Sequence, residues 1–471
     1  MEDRAVNDIS RRRFLKFAGI GALGLVGSSM LPEFRWVIES GAGNTKPNFV
    51  FFLIDDLGWC DVGCYGSTFY ETPNIDKLAS QGIRFTNAYA ACPVCSPTRA
   101  SILAGKYPAR LNLTDWIPGH RRENPKLIVP KFNQQLPLKE ETIAEALKPA
   151  GYVSASIGKW HLGEELYYPE NQGFDLNIGG THKGQPPAYF APYQIPTLKE
   201  GKEGEYLTDR LTDEALAFIE KNKDRPFFLY LPHFAVHTPI QGKKEKADKY
   251  RNKVKPGQEQ NNAMYAAMIE SVDESVGYIL KKLEMPGIAG RTVIIFMSDN
   301  GGLARVTSNV PLRAGKGTLY EGGIREPMII KWPGVTKPGK TCDVPVTSTD
   351  FYPTMLEMAG QPLKPEQHRD GLSLVPLLKG SGTIKRDALY WHYPHYHFTT
   401  PAGAVRQGDW KLIEYYEDGR LELYNLKEDI SETFNLAEKM PDKAQELKKM
   451  LLKWRESVGA KMPTPNPDYK Q

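Results

Sequence analysis

Four stretches of this chain are apolar at nearly every position and then stop at polar residues. Asn48–Ile54 runs into Asp55 and Asp56, and Tyr152–Ile157 into Gly158, Lys159, Trp160 and His161. Phe227–Leu231 leads to His233 and His237-Thr238-Pro239, and Thr292–Ser298 to Asp299, Asn300, Gly301 and Gly302. Continuous apolar runs of this length predict strands buried on both faces of a largely parallel sheet. Helical spacing of apolar residues over Pro73–Gln81 and Thr142–Ala150 predicts two helices, with Gly82 and Gly151 as C-caps. The same spacing over Thr208–Lys221 and Asn262–Lys282 predicts two more, each preceding one of the strands. Helix alternating with buried strand is the pattern of an α/β layered sheet, whose ligand crevice lies beyond the carboxyl ends of its strands. One edge would therefore collect three acids, an amide, a lysine and the histidines.

Past Gly382 the texture changes. Ala388–Trp391, Ala404–Arg406, Trp410–Tyr415 and Leu421–Tyr424 read as short antiparallel strands, with a hairpin turn at Glu417–Arg420 between the last two. Lys443–Val458 reads as an amphipathic helix. The expected organisation is a leader and linker over 1–46, a catalytic domain over 47–381 and a C-terminal subdomain over 382–471.

With 471 residues and 41% hydrophobic content the chain can bury a large core. A net charge of +4, from 60 basic and 56 acidic residues, is too balanced to argue for a nucleic-acid partner. The lysine-rich stretch Gly242–Lys246 reads as solvated surface. Ser10-Arg11-Arg12-Arg13-Phe14-Leu15-Lys16 resembles the twin-arginine export motif, and the apolar stretch Phe17–Val26 behind it is too short for a stable membrane span. The resemblance implies passage through the twin-arginine machinery to a periplasmic or extracellular location, with a mature start between Met30 and Pro47.

Asp55, Asp56, Asp299 and the Asn300 carbonyl oxygen are hard oxygen donors, better suited to calcium than to zinc. Three carboxylates in one crevice would raise each other's pKa unless a cation or basic groups neutralise them. Lys159 and Lys316, the latter in the glycine-flanked Arg313–Thr318, are placed to meet an anion that gains charge in its transition state. Singly, each residue has a blander reading. Aspartates after strands often cap helices or form turns, His161 and His233 are ordinary packed histidines, and lysines are surface charges. His392, His395 and His397 read either as a sugar subsite or as a solvated aromatic loop. Cys92-Pro93-Val94-Cys95 is a C-x-x-C, yet a redox pair would leave Arg99 and the acids unexplained, and no histidines lie at zinc-ligand spacing.

Cys95-Ser96-Pro97-Thr98-Arg99, running on to Lys106, resembles the signature at which sulfatases of the arylsulfatase type have a cysteine oxidised to formylglycine. The resemblance extends by order and spacing of segments from about Pro47 to about Leu436. It implies an alkaline-phosphatase-like α/β fold, a large mixed sheet flanked by helices with a smaller C-terminal antiparallel sheet plus helix. It also implies a formylglycine-generating maturation enzyme as partner, Cys95 as the modified nucleophile, and Asp55, Asp56, Asp299 and Asn300 as ligands of one calcium ion. Arg99 would hold the hydrated aldehyde, and Lys159, His161, His237 and Lys316 would complete the site, with His237 protonating the leaving alcohol and Lys316 its rival. Pro97 in the first turn suits a helix start, where the dipole favours negative charge. With Cys95 converted, Cys60, Cys64, Cys92 and Cys342 remain as disulfides or as buried thiols. The implied activity is sulfuric-ester hydrolysis of a sulfated carbohydrate or aryl sulfate, the sugar being read by loops such as Thr114–Lys131 and Gly180–Gly204. The alternatives are a phosphodiesterase or phosphonate ester hydrolase of the same superfamily, and an inert glycan-binding protein with Cys95 never oxidised.

Overall fold

The computed structural model describes residues 46–470 apart from Pro286, so the twin-arginine motif and its apolar stretch lie outside the described residues. Eight strands form the principal sheet: β1 (Asn48–Ile54), β2 (Ile83–Phe85), β3 (Val153–Ile157), β4 (Leu176–Ile178), β5 (Phe227–Pro232), β6 (Thr292–Ser298), β7 (Met328–Lys331) and β8 (Lys340–Cys342). Their spatial order is β8-β2-β7-β6-β1-β5-β3-β4. β6, β1, β5, β3 and β4 run parallel, whereas β7 pairs antiparallel with both β6 and β2.

β1 shows why the predicted strands are apolar throughout. Val50, Phe52 and Ile54 join a core that includes Tyr265, Met268 and Val272 of the helix Ala263–Leu283 and Leu211 and Ala215 of the helix Leu207–Asn222. Phe49, Phe51 and Leu53 point into a second core with Ile102, Leu103, Phe351 and Tyr352. Alternate residues of one strand thus serve two layers, and each large side chain so buried contributes about 1.5–3 kcal/mol.

The predicted helices form with small changes of boundary. Thr142 closes a capping box with Glu145 before the helix Ile143–Leu147, the last turn tightens to a 3-10 helix over Lys148–Ala150, and Gly151 sits at φ 82°. Gly82 is the C-cap of its helix, its amide donating to the Ala79 carbonyl at 3.3 Å. It follows the helix Pro73–Gln81 but is extended, at φ −126°. A Cβ there would lie 2.6 Å from the Ile330 carbonyl oxygen, so glycine serves the close approach of β7 rather than a left-handed cap. The Gly242–Lys246 stretch is surface only in part: Lys244 and Glu245 are exposed, and Lys243 and Lys246 are not. Lys243 pairs with Asp209, and Lys246 is largely buried against Glu270 and Glu274, so these lysines fasten helices together.

Past Gly382, β9 (Leu389–Tyr393), β10 (Ala402–Gln407), β11 (Trp410–Tyr415) and β12 (Leu421–Asn425) form an antiparallel meander. The helix Pro441–Val458 covers it, burying Leu447, Leu451 and Val458 with Val405, Leu412 and Leu423. All five cysteines are thiols. Among the described residues no helix is long and apolar enough to cross a membrane.

Candidate active site

Register brings the acids together. Ile54 of β1 pairs with Ser298 of β6, so Asp55 and Asp299 emerge side by side as the two strands end. The Asp299 amide donates to the Ile54 carbonyl at 3.0 Å, and the Asp56 amide to Asp299 Oδ1 at 3.2 Å. One carboxylate oxygen each of Asp55, Asp56 and Asp299 lies within 4.8 Å of the others, and all three residues are buried. Asn300 Nδ2 donates to Asp56 Oδ1 at 2.8 Å, which pins the amide, while its Oδ1 is buried without a donor. Asp55 Oδ1 likewise accepts no hydrogen bond, with Arg99 Nη2 3.6 Å away. Asp56 and His161 hold left-handed backbone at φ 61° and 60°, a conformation that costs non-glycine residues energy and clusters at functional sites.

Basic groups close the acids in. Lys159, carried past the end of β3 with its amide bonded to the Pro232 carbonyl of β5, places Nζ 2.7 Å from Asp55 Oδ2. Lys316 Nζ lies 2.7 Å from Asp56 Oδ1 and 3.9 Å from the Cys95 sulfur. Arg99 lies 2.9 Å (Nε) and 2.8 Å (Nη2) from Asp299 Oδ2 and donates through Nη1 to the Lys159 carbonyl. Its guanidinium therefore bridges Asp299 and the Lys159 carbonyl, with Nη2 also 3.6 Å from Asp55 Oδ1. Cys95 opens the helix Cys95–Ala104, with Val94 as N-cap.

Burial sets the electrostatics. It raises Asp55 well above the usual carboxylate range, helped by Asp299 and opposed by Lys159 and Arg99. Burial also acts on Asp56, but Lys316, His237 and Lys159 outweigh it and hold that carboxyl low. The Cys95 thiol is pushed up by burial. His237, buried beside Lys316, drops to about 3, and His161, buried beside Lys159, falls well below its ordinary value. His161 Nε2 sits 2.6 Å from the Ile117 carbonyl, so the neutral ring donates there and keeps a lone pair on Nδ1, which has no partner.

Asp56, Cys95, His161, His237 and Lys316 line a cavity of about 690 Å³, whereas Asp55, Asp299, Asn300, Lys159 and Arg99 are fully buried and do not line it. Its walls include Trp116, Ile117 and Pro118 from one predicted sugar-reading loop and His182, Lys183, Gly184 and Gln185 from the other. His397 and Phe398 line it as well. His392 and His395 do not: each is buried, His392 against Tyr416 and the Lys461 carbonyl and His395 against Thr114 Oγ1. The solvated aromatic loop is therefore a packed one. His233, read as a packed histidine, is buried with Nε2 3.0 Å from Ser275 Oγ. Sequence reading missed Gln134, Gln135, Glu164, Tyr167 and Arg305 on the cavity wall, which sit in segments without periodicity or motif. Cys92 and Cys95 do not pair, and the Cys92 thiol faces the Thr114 carbonyl.

Residues 47–361 match the family model described as Sulfatase, and residues 315–457 match one described as N-sulphoglucosamine sulphohydrolase, C-terminal. The chain is 34% identical to a sulfatase of Formosa agariphila, with 90% of each chain covered. It is 31% identical to human arylsulfatase A, covering 86% of this chain and 87% of that one. The crystal structure of Ps i-CgsB in complex with k-i-k-neocarrahexaose superposes with a TM-score of 0.76 at 32% identity, over 87% of this chain and 93% of that chain. Sequence, fold and the strand-end cluster agree that this chain belongs to the sulfatase family and is a hydrolase of sulfuric esters.

Proposed function

We propose that this sulfatase releases inorganic sulfate from a sulfated carbohydrate, using a formylglycine made from Cys95 as nucleophile and one calcium ion held by Asp55, Asp56, Asp299 and Asn300. The observation that carries the reading is the pair of buried oxygens that accept no hydrogen bond, Asp55 Oδ1 and Asn300 Oδ1, beside three clustered carboxylates and Cys95. Oxygen-only donors suit a hard divalent ion. Three acids already face Arg99, Lys159 and Lys316, so a divalent cation leaves a surplus of positive charge to receive a sulfate ester. When bound, the ion supplies Lewis-acid polarisation of oxygens.

The chain's own residues divide the remaining work. Lys159 and Lys316 bind the sulfate oxygens and stabilise charge that grows as the S–O bond breaks. One hydroxyl of the formylglycine hydrate, its proton drawn by Asp299, attacks sulfur in line with the departing alcohol. His237 protonates that alcohol. Its Nδ1 lies 2.9 Å from the Thr238 carbonyl and donates to it, leaving the Nε2 lone pair, 3.6 Å from Asp56 Oδ2, to carry the proton. A bound sulfate offsets the effect of Lys316 and raises the affinity of this imidazole for a proton. His161, through its unpartnered Nδ1, takes the proton of the second hydroxyl, and the sulfated hydrate collapses to aldehyde and sulfate. A serine ester would instead wait for attack by water.

The carbohydrate assignment draws on the cavity and on relatives. Trp116, Tyr167 and Phe398 offer faces for sugar rings, and Gln134, Gln135 and Gln185 offer hydrogen bonds to hydroxyls. Among relatives are human N-acetylgalactosamine-6-sulfatase, 35% identical, and the neocarrahexaose-bound Ps i-CgsB. A screen of converted enzyme against sulfated mono- and oligosaccharides of known linkage tests the reading. Turnover of phosphate esters only would reject it.

The twin-arginine-like Arg11-Arg12 supports export. Cys95 is 3% exposed in the folded chain, which favours conversion before folding and hence before export. Unmodified Cys95 in the cytoplasmic precursor together with formylglycine in the exported enzyme would reject that order.

A further inference from the structure

The loop that carries Lys316 is seated on two glycines of the short helix Glu321–Ile324. A Cβ on Gly322 would lie 2.5 Å from the Arg313 carbonyl oxygen, and one on Gly323 would lie 2.2 Å from that of Thr318 and 2.6 Å from that of Gly315. The Gly301 amide donates to the Gly323 carbonyl at 3.2 Å, so the same seat also supports the residue after Asn300. Whatever fixes the start of this helix fixes how far Lys316 reaches.

That start is held in part from the small C-terminal sheet. Lys411 of β11, fully buried, places Nζ 2.8 Å from both Glu321 Oε1 and Glu432 Oε1. Glu432 Oε2 accepts the Glu321 amide at 2.7 Å, and the Glu432 carbonyl accepts Arg313 Nη1 at 2.7 Å. Glu432 adopts this double contact at φ 51°, in the left-handed region that side-chain-bearing residues avoid. Nothing in sulfate chemistry requires charges here, more than one element away from the cavity floor. Glu321 Oε2 is held as well by the Tyr89 hydroxyl at 2.7 Å and by Arg325 Nη1 at 3.2 Å, and two buried carboxylates joined through the Lys411 ammonium define position more sharply than an apolar contact, which would tolerate sliding.

We propose that Lys411 and Glu432, with Arg313 at the rim, are positioning residues that set Lys316 against Asp56 and the substrate sulfate. The proposal rests on the assignment of Lys316 to the sulfate-binding machinery. It gives the C-terminal sheet a part in the reaction beyond covering the core.

The test is a double-mutant cycle on full-length, Cys95-converted enzyme with nitrophenyl sulfate as substrate, reading kcat, KM and the near-UV circular dichroism of the folded protein. Lys411→Met is expected to lower kcat about tenfold with KM changed less than about twofold, and Arg313→Ala to lower it about threefold. In a Lys316→Ala background both are expected to cost nothing further, because they act through Lys316. A merely structural role would lower the melting temperature and leave kcat of the folded fraction unchanged. Wild-type kcat in the folded variants, or losses that multiply with that of Lys316→Ala, would overturn the proposal while leaving the sulfatase reading intact. Should Lys411→Met not fold, Arg313→Ala, which strands no buried charge, decides alone. Full turnover by Lys316→Ala would sink the assignment of Lys316 itself and this proposal with it.

Discussion

The ammonium of Lys316 stands 3.9 Å from the sulfur of Cys95, although 221 positions of chain separate them. The contact places a buried ammonium beside this sulfur and brings two distant sequence motifs together. If Cys95 is the precursor of the nucleophile, Cys95→Ala and Asp299→Ala each abolish sulfate release. Cys95→Ser permits one transfer at most and then carries a sulfo group visible in its peptide mass. Full turnover in any of the three would reject the assigned roles.

Metal removal gives a second expectation. Exhaustive chelation should abolish turnover, and calcium should restore it better than zinc. The same titration should raise the melting temperature, since an ion at a hundred times its Kd stabilises the folded state by about 2.7 kcal/mol. Unchanged activity and unchanged melting after chelation would remove the metal from the scheme.

If His237 is the general acid, its contribution should follow the basicity of the leaving group. His237→Ala should lower kcat on a sugar sulfate by about 10²–10⁴, the range for a lost general acid. On nitrophenyl sulfate, whose leaving group departs without a proton, the loss should be far smaller. Equal losses on both substrates would transfer the acid role to Lys316.

Gly158 is a structural pressure point under the site. It sits at φ 123°, and a Cβ there would lie 2.1 Å from the Pro232 carbonyl oxygen, the group that accepts the Lys159 amide. Gly158→Ala should lower stability by about 2 kcal/mol or more and displace Lys159. A melting temperature and kcat both at the wild-type level would contradict this.

Asp115 sets a pH dependence of stability. Burial pushes its carboxyl up to about 7 from an ordinary 3.8, despite the Tyr393 hydroxyl and two amides that donate to it. The folded protein therefore binds this proton more tightly than the unfolded chain. The stabilisation is fully present below the unfolded value and is lost as pH rises through the folded one, between about 4 and 7. Asp115→Asn should flatten the decline in denaturant midpoint over that window. An unaltered slope would show that Asp115 does not titrate there.

The sequence was most legible where one physical signal acts alone. Asn48–Ile54 and Thr292–Ser298 are strands residue for residue, because burial on both faces leaves no other composition, and the acids after them converge because parallel strands end at one edge. β2, β7 and β8 went unread, since strands of three or four residues carry too little pattern to separate from loops. Gly82 is the cap that local sequence favours, yet what excludes a side chain there is a carbonyl of Ile330, almost 250 positions away. His395 and Lys411 were opaque for a similar reason. Their burial depends on Thr114 and on Glu321 and Glu432, partners that no local spacing identifies.

The parallel run of β1, β3, β5 and β6 has a practical corollary. Their first residues lie at the margin opposite the cavity, roughly 20 Å away for a strand of seven residues. The exposed turn at Asp224, just before β5, is on that margin, and the five native thiols are buried or half-buried. An engineered Asp224→Cys would give an anchor for coupling the enzyme to a resin or electrode with its mouth turned outward, open to polymers too large to enter a randomly oriented layer.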